Sequence, residues 1–145
     1  MEHQCLTCQF NNNPGKSPGG WIKEYNYWIL EHINEPIPVL GWLVLKTKRH
    51  TDGIVGLNAD EAKELGEILY IVPKVLKQVT NAEMIYIVTI TELVKHMHMH
   101  IVPRYKNAKM GSDLLCLLDE VKKDKDLAQS VQKSITLVEK IRNNI

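Results

Sequence analysis

Three histidines occupy alternate positions within the segment KHMHMHIVPRY, residues 95–105: His96, His98 and His100. In a β-strand successive side chains point to opposite faces of the sheet, so residues two apart share a face. On a helix the same positions would spread over a wide arc. The spacing therefore predicts a strand with an imidazole face opposite a core face of methionine and isoleucine. Pro103 is expected to end the pairing of this strand.

An imidazole row supports two kinds of chemistry. Neutral ring nitrogens bind zinc, and strand-borne His-x-His pairs are suited to holding such an ion. Alternatively, one imidazole is the nucleophile of covalent catalysis while its neighbours orient it and the substrate. With an unperturbed pKa of about 6.5, much of the ring is neutral at pH 7, and a hydrogen bond from its second nitrogen to a backbone carbonyl would fix the tautomer. A solvated strand face without a function is the third interpretation.

The chain has three cysteines, and two of them form the pair Cys5-x-x-Cys8. The first ten residues, MEHQCLTCQF, contain neither a basic leader nor an apolar stretch of signal-peptide length, which predicts a cytoplasmic protein. In that compartment a close cysteine pair indicates metal or redox chemistry rather than a structural disulfide. Cys116 lies among leucines and is expected to be a buried apolar thiol.

Length and composition indicate one soluble globular domain. The chain has 145 residues, of which 24% are charged and 44% are hydrophobic, and this length suffices for an ordinary core. The formal net charge of +1 gives no electrostatic reason to expect a nucleic-acid partner, since such proteins concentrate basic residues on one face. No apolar run approaches the length of a membrane span, so no membrane partner is expected.

Hydrophobic patterning predicts strands on both sides of a helix. Residues 21–33 are consistent with one or two strands, residues 39–46 with a buried strand, and residues 82–91 with a further strand before the histidines. Asn58 and Glu61 form a capping-box pattern that predicts a helix to about Val79, with a kink or break at Pro73. Strands this close in sequence favour antiparallel pairing and an α+β fold.

The C-terminal third is predicted to be helical. The mixed-charge run at residues 122–126 is expected to be a solvated helix start. Apolar side chains then recur at helical spacing along one face: Leu127, Val131, Ile135, Val138 and Ile141.

Several other side chains are assigned structural positions. His3 and His32 are expected at the surface. The three tryptophans are expected in the core rather than stacked on a base: Trp21, Trp28 and Trp42.

The histidine segment resembles the signature of the histidine-triad (HIT) family, in which three histidines alternate with apolar residues and two further apolar residues follow. Here the run reads His96-Met-His98-Met-His100-Ile-Val-Pro-Arg104. Upstream, LVLKTKRH ending at His50 resembles the strand that ends in Pro-Lys-x-His in this family. Cys5-x-x-Cys8 resembles the zinc-binding subset of the family, and the resemblance covers residues 5–105.

The resemblance implies an α+β fold with an antiparallel sheet of about five strands, one main helix packed on it and a C-terminal helical extension. The histidine-triad domain would comprise residues 1–110, and residues 111–145 would be a helical extension of the same domain. Members of the family are often dimeric, so a homodimer is expected. They act as hydrolases or nucleotidyl transferases on the α-phosphate of nucleotides, with dinucleoside polyphosphates or nucleoside phosphoramidates as substrates, and no organic cofactor is expected.

The resemblance also implies roles for individual residues. His98 would be the nucleophile that forms a nucleotidyl-histidine intermediate, and His100 would contact the phosphate oxygens. His96 would either support the nucleophile or bind zinc. In the second case the ligands would be two thiolates and two imidazoles, which make a closed, structural tetrahedral site: Cys5, Cys8, His50 and His96. Asn34 matches the position of a ribose-binding residue of the family. Glu92 occupies a position at which relatives carry a residue that binds the phosphates.

One segment departs from the family pattern. Relatives usually have Gly-Gln-Ser or Gly-Gln-Thr before the triad, whereas this chain has Thr91-Glu92-Leu93. Leucine cannot hydrogen-bond, and a carboxylate repels a phosphate. Two alternatives to the enzyme therefore stay open: a non-catalytic nucleotide-binding or zinc-stabilised interaction module, and a zinc-dependent hydrolase that uses the histidine row as ligands.

Overall fold

Five short strands form one open antiparallel sheet in the computed structural model, which describes residues 4–145. The strands are β1 (Trp21–Glu24), β2 (Trp28–His32), β3 (Leu43–Thr47), β4 (Met84–Val88) and β5 (His98–Arg104). Their order across the sheet is β1-β2-β3-β5-β4, and every neighbouring pair is antiparallel. The α+β architecture expected from the sequence is confirmed.

Four α-helices cover the two faces of the sheet: α1 (Leu6–Asn11), α2 (Ala59–Thr80), α3 (Ser112–Lys123) and α4 (Val131–Asn144). Helices α2 and α4 lie on the face that carries the main apolar cluster, whereas α3 packs through Leu114 on the opposite face, against Trp42 and Val102. Short 3-10 turns lie at Ile54–Gly56 and Lys125–Leu127. Within residues 4–145, no helix has the length and apolar character needed to cross a membrane.

Helix α2 begins at the predicted capping box and continues through its proline. The Asn58 side chain accepts from the Glu61 N–H, and the Glu61 carboxylate accepts from the Asn58 N–H. The predicted break at Pro73 is wrong, because α2 runs as one helix of 22 residues, and the kink stays a prediction. A proline inside a helix costs about 3 kcal/mol. Burial of Val72 and Val75 on either side of it contributes about 1.5 to 3 kcal/mol per side chain and offsets that cost.

Strand β5 has the predicted apolar face but ends later than expected. The side chains of Met97, Met99 and Ile101 are buried in the main cluster. The expectation that Pro103 ends the strand pairing is wrong, since β5 continues to Arg104. Its pairing with β3 stops at Ile101, so beyond that residue only β4 pairs with it. A residue without an N–H is tolerated where one side of a strand has no neighbour.

The C-terminal third contains two helices rather than one continuous helical face. The charged run begins at the end of α3, where Lys122 and Lys123 lie in the last turn and interact favourably with the helix dipole; the expected helix start at these residues is therefore wrong. Leu127 lies in a 3-10 turn and is 48% exposed, whereas Val138 and Ile141 of α4 are fully buried.

Helix α4 is joined to the body of the domain by polar contacts as well as by packing. The Arg142 guanidinium donates to the carbonyls of Gly19 and Trp21 over 2.7 and 2.8 Å. Residues 111–145 therefore share the core and the hydrogen bonds of the strands that precede them.

Two single-residue expectations are wrong. His32 is fully buried because its ring joins the two ends of the β2–β3 connection: Nδ1 donates to the Ile33 carbonyl, and Nε2 accepts from the Gly41 N–H. Cys116 is exposed because it lies two residues from the buried Leu114, which is more than half a turn around α3. Trp28 and Trp42 are buried as expected, Trp21 is partly buried, and His3 lies outside the described residues.

The packing of α4 predicts that the C-terminal segment unfolds together with the sheet. Replacing the fully buried Ile141 with alanine should lower the free energy of unfolding by about 2 to 5 kcal/mol, measured by urea denaturation in a single transition. The exposed Leu127→Ala is the control and should change it by no more than about 0.5 kcal/mol. An Ile141→Ala protein with an unchanged midpoint would contradict the shared core.

Candidate active site and metal site

The histidine segment divides between two clusters. His98 and His100 lie on β5 with ring centroids 5.3 Å apart. His96 precedes the strand and is fully buried, so the prediction of one strand bearing all three histidines is wrong for His96. The backbone departs from the regular ladder at Met97, whose N–H donates to the Thr51 carbonyl beyond the end of β3. That departure turns His96 towards the cysteines.

The His98 ring has a defined tautomer. Its Nδ1 lies 2.7 Å from the carbonyl oxygen of His96. A carbonyl oxygen can only accept, so Nδ1 carries the proton and donates it. The neutral ring then has a lone pair on Nε2, which is the form that a nucleophile requires.

The His100 ring has the opposite tautomer. The indole N–H of Trp42 donates to His100 Nδ1 over 2.9 Å, so the single proton of the neutral ring is on Nε2. Burial, and to a smaller extent the neighbouring His98, lower the pKa of His100 from 6.5 to about 4. The ring is therefore neutral at pH 7 and presents an N–H donor.

Two cavities meet at His98 and His100, and both rings line each of them. The first cavity, of about 390 Å³, is walled by Val88 of β4 and by Leu115 and Leu118 of α3. The second, of about 330 Å³, lies over β2 and β3 and reaches Phe10 of α1.

The residues predicted to bind substrate lie on opposite sides of the imidazoles. Asn34 lines the second cavity, and its Oδ1 is buried without a hydrogen-bond partner among residues 4–145. Glu92 lines the first cavity, is exposed, and makes no ion pair within the described part of the chain. A molecule spanning both cavities would place its centre at His98 and His100.

The sequence interpretation missed a buried ion pair in the second cavity. Lys46 Nζ lies 2.6 Å from Glu31 Oε1, and the two side chains are 2% and 9% exposed. Lys46 is the cross-strand neighbour of His98, and Glu31 is on β2. The sequence signal for a buried charge was the lysine at the end of the apolar run VLGWLVLK. Its partner could not be identified, because the partner depends on strand register, which sequence spacing does not fix. Trp42 was also missed, because it was assigned to the core alone.

The four predicted metal ligands converge. Cys5 and Cys8 come from the start of α1, His50 follows β3, and His96 precedes β5; one donor atom from each lies within 4.8 Å of the others. Cys5 Sγ is 3.6 Å from His96 Nδ1, and Cys8 Sγ is 3.5 Å from the Nδ1 atoms of both His50 and His96. Tetrahedral Zn²⁺ with Zn–S of about 2.3 Å and Zn–N of about 2.0 Å requires S···N distances of about 3.5 Å. The donor set and its spacing fit this ion.

Backbone contacts orient the ligands. His96 Nε2 lies 2.7 Å from the Thr47 carbonyl and donates to it, which leaves the Nδ1 lone pair facing the thiols. Burial lowers the pKa of His96, and the neutral imidazole is the form that binds a metal. The Asn11 side chain donates to the same carbonyl over 3.0 Å, so both α1 and His96 are tied to the end of β3.

The sequence profile of the HIT domain family matches residues 22–107, which is more than half of the chain. The chain belongs to the HIT domain family. Comparison with proteins of curated function finds no match.

Solved structures show the same fold at low sequence identity. A Hit-like protein involved in cell-cycle regulation from Bartonella henselae has a TM-score of 0.75 and 13% identity, with 100% of this chain and 98% of that chain covered. A hypothetical histidine triad nucleotide-binding protein from Sulfolobus tokodaii has a TM-score of 0.71 and 16% identity, with 97% and 91% covered. A Zn-bound histidine triad family protein from Mycobacterium smegmatis has a TM-score of 0.68 and 15% identity, with 99% and 96% covered.

The depressed pKa of His100 predicts a loss of stability in mild acid. Between pH 6.5 and about pH 4 the unfolded ring takes up a proton that the folded ring does not, so the fold weakens as pH falls. This one ring should remove about 2 kcal/mol of unfolding free energy between about pH 7.5 and about pH 5. Urea denaturation at the two pH values should show a smaller loss in His100→Gln. An equal loss in both proteins would contradict the depressed pKa.

Proposed function

We propose that the protein is a nucleotide hydrolase or nucleotidyl transferase that acts on the α-phosphate through a nucleotidyl-His98 intermediate. One observation carries the proposal: the His98 ring, whose Nε2 is bare, and the His100 ring, which carries an Nε2–H, have centroids 5.3 Å apart, and both rings line the two cavities. Membership of the HIT family supports nucleotides as the ligand class.

The chemistry proceeds in two displacements. The His98 Nε2 lone pair attacks phosphorus, a P–N bond forms, and the bond to the leaving group breaks with its electron pair. Water or another acceptor then attacks phosphorus, the P–N bond breaks with its electron pair returning to His98 Nε2, and the acceptor's proton is released to solvent. Water as the acceptor makes the protein a hydrolase, and any other acceptor makes it a transferase. His100 Nε2–H donates to a phosphoryl oxygen and stabilises the negative charge that develops there.

Each cavity would hold one part of the substrate. The second cavity would take the nucleoside, with the orphan Oδ1 of Asn34 near the ribose hydroxyls and Lys46 and Glu31 offering a donor and an acceptor. The first cavity would take the leaving group, which Glu92 faces. The substrate would be a dinucleoside polyphosphate or a nucleoside phosphoramidate.

We also propose a structural zinc ion. Four protein ligands complete a tetrahedral shell, so the bound ion supplies a fixed crosslink between segments. Cys5 and Cys8 would join α1 to the residues that follow β3 and precede β5. Phe10 of α1 lines the second cavity, and the crosslink would therefore hold one wall of the nucleoside site.

The expected homodimer is a further proposal, supported by the edge of the sheet. Strand β4 is an edge strand, and its Met84 and Ile87 side chains are exposed. An edge with apolar side chains is a template for pairing with a second copy of the chain.

The nucleophile is tested by trapping the intermediate. Incubation with a nucleotide labelled at the α-phosphate, followed by rapid quenching, should leave acid-labile label on the wild-type chain at His98. His98→Ala should carry no label, because the attacking nitrogen is gone, while circular dichroism checks that it is folded.

The same experiment separates the enzyme from a binding module. Nucleotide binding by calorimetry without label or product would favour the non-catalytic alternative. Label that persists in His98→Ala would place the nucleophile elsewhere.

The zinc ligands are tested by metal analysis of the purified protein. Wild-type protein should carry about one zinc ion per chain, and the double variant Cys5→Ser, Cys8→Ser should lose it and melt at a lower temperature. Cys116→Ser is the matched control, because Cys116 is exposed on α3 and does not belong to the cluster; it should keep the ion. A double variant that retains zinc would refute the ligand set.

A further inference from the structure

Trp42 makes a polar contact that its apolar character does not require. Its side chain is 1% exposed and packs with Val102 and Leu114 in the cluster beneath α3. Its only polar atom, the indole nitrogen, is directed at His100 Nδ1 over 2.9 Å, with the two rings nearly perpendicular at 86°. An indole nitrogen can only donate, so His100 Nδ1 has to accept and cannot carry the proton of the neutral ring.

The indole has little freedom to move away. Gly41, the residue before it, has φ +83, and a Cβ there would lie 3.2 Å from side-chain atoms of Leu137 and Pro103. The Gly41 N–H also donates to the buried ring of His32. The backbone that carries Trp42 is therefore held by packing on one side and by His32 on the other.

We propose that Trp42 is a positioning residue for the reaction at His98: its indole N–H holds His100 in the Nε2–H tautomer, so that a donor stands beside the bare Nε2 of the nucleophile. This inference rests on the proposed function. It adds a residue whose indole donates to His100 and which also lines the first cavity, on the side proposed for the leaving group.

The alternative tautomer would oppose the chemistry. If His100 carried its proton on Nδ1, its Nε2 lone pair would face the phosphoryl oxygens, and two acceptors would repel each other. Protonation cannot supply the missing donor, because burial keeps the pKa of His100 near 4. The imidazole of His100 therefore depends on an external donor to select its useful form.

The direct test is the protonation state of His100 in Trp42→Phe, read from nitrogen-15 NMR of protein with labelled histidine. The wild-type ring should show a protonated Nε2 and a bare Nδ1, and the variant should show a mixture or the reverse. Trp28→Phe is the matched control: Trp28 is also fully buried, and its indole donates over 2.9 Å to the Glu61 carbonyl, away from both cavities. It should lose similar stability and leave the His100 tautomer unchanged.

The kinetic consequence distinguishes positioning from a general loss of structure. Trp42→Phe should lower kcat by at least about tenfold, with KM within about threefold. The loss should stay below the roughly hundredfold to thousandfold that follows complete removal of a transition-state donor, because a mixture of tautomers keeps part of the donor. Trp28→Phe should leave kcat near the wild-type value. Replacing Trp42 by its benzothiophene analogue, which keeps the ring shape and lacks the N–H, should reproduce the loss in kcat if phenylalanine destabilises the fold.

Each outcome decides the proposal. The proposal about Trp42 would be overturned if the His100 tautomer were unchanged in both Trp42 variants, or if the tautomer changed and kcat did not. In either case a labelled His98 adduct would still support the proposed function. A wild-type protein that forms no adduct with any nucleotide would overturn the proposed function and this inference together. A changed tautomer with a selective loss of kcat supports both.

Discussion

A neutral imidazole has one proton for two nitrogens, and this constraint assigns each histidine of the triad its place. The carbonyl of Thr47 accepts a hydrogen bond from the Nε2–H of His96, so the Nδ1 lone pair faces the two cysteines. The carbonyl of His96 accepts from the Nδ1–H of His98 and leaves Nε2 bare. The indole of Trp42 occupies Nδ1 of His100 and leaves the proton on Nε2. In the proposed function, three rings of the same type would thus act as a metal ligand, a nucleophile and a donor, each selected by the partner of its second nitrogen.

The junction of β3 and β5 supports both clusters. The end of β3 supplies the Thr47 carbonyl, which accepts from His96 and from Asn11 of α1. The same strand carries Lys46 opposite His98 and Val44 opposite His100. The cluster of cysteines and histidines and the cavity beside His98 therefore share backbone, and α1 contributes both to the cluster through Cys8 and to the cavity wall through Phe10. Order in α1 and order in the second cavity are therefore coupled.

Local periodicity made part of this arrangement predictable. Alternation placed His98 and His100 on one face and the methionines in the core, and the capping box located the start of α2, because both signals depend on neighbouring residues alone. The four ligands came from family resemblance, which carries long-range information that spacing lacks.

Features that depend on tertiary structure escaped prediction. The ion pair of Lys46 and Glu31 depends on strand register, and the contact of Trp42 with His100 joins residues far apart in sequence. His32 is buried because it bridges a connection whose shape the sequence does not reveal. His96 was assigned to the same strand as its neighbours because alternation cannot detect a backbone that leaves the ladder at Met97.

Residues inside the family match and residues outside it supply different parts of the site. Residues 22–107, which match the family, supply the three imidazoles, Trp42 and the ion pair. Other wall residues come from segments beyond that match: Phe10 of α1 lines the second cavity, and Leu115 and Leu118 of α3 line the first. Apolar walls contribute binding through shape and burial, whereas the reaction depends on the imidazoles. In the proposed function, substitutions in α3 would therefore change which leaving group fits, while the tautomers selected by the contacts with Thr47, His96 and Trp42 would stay the same.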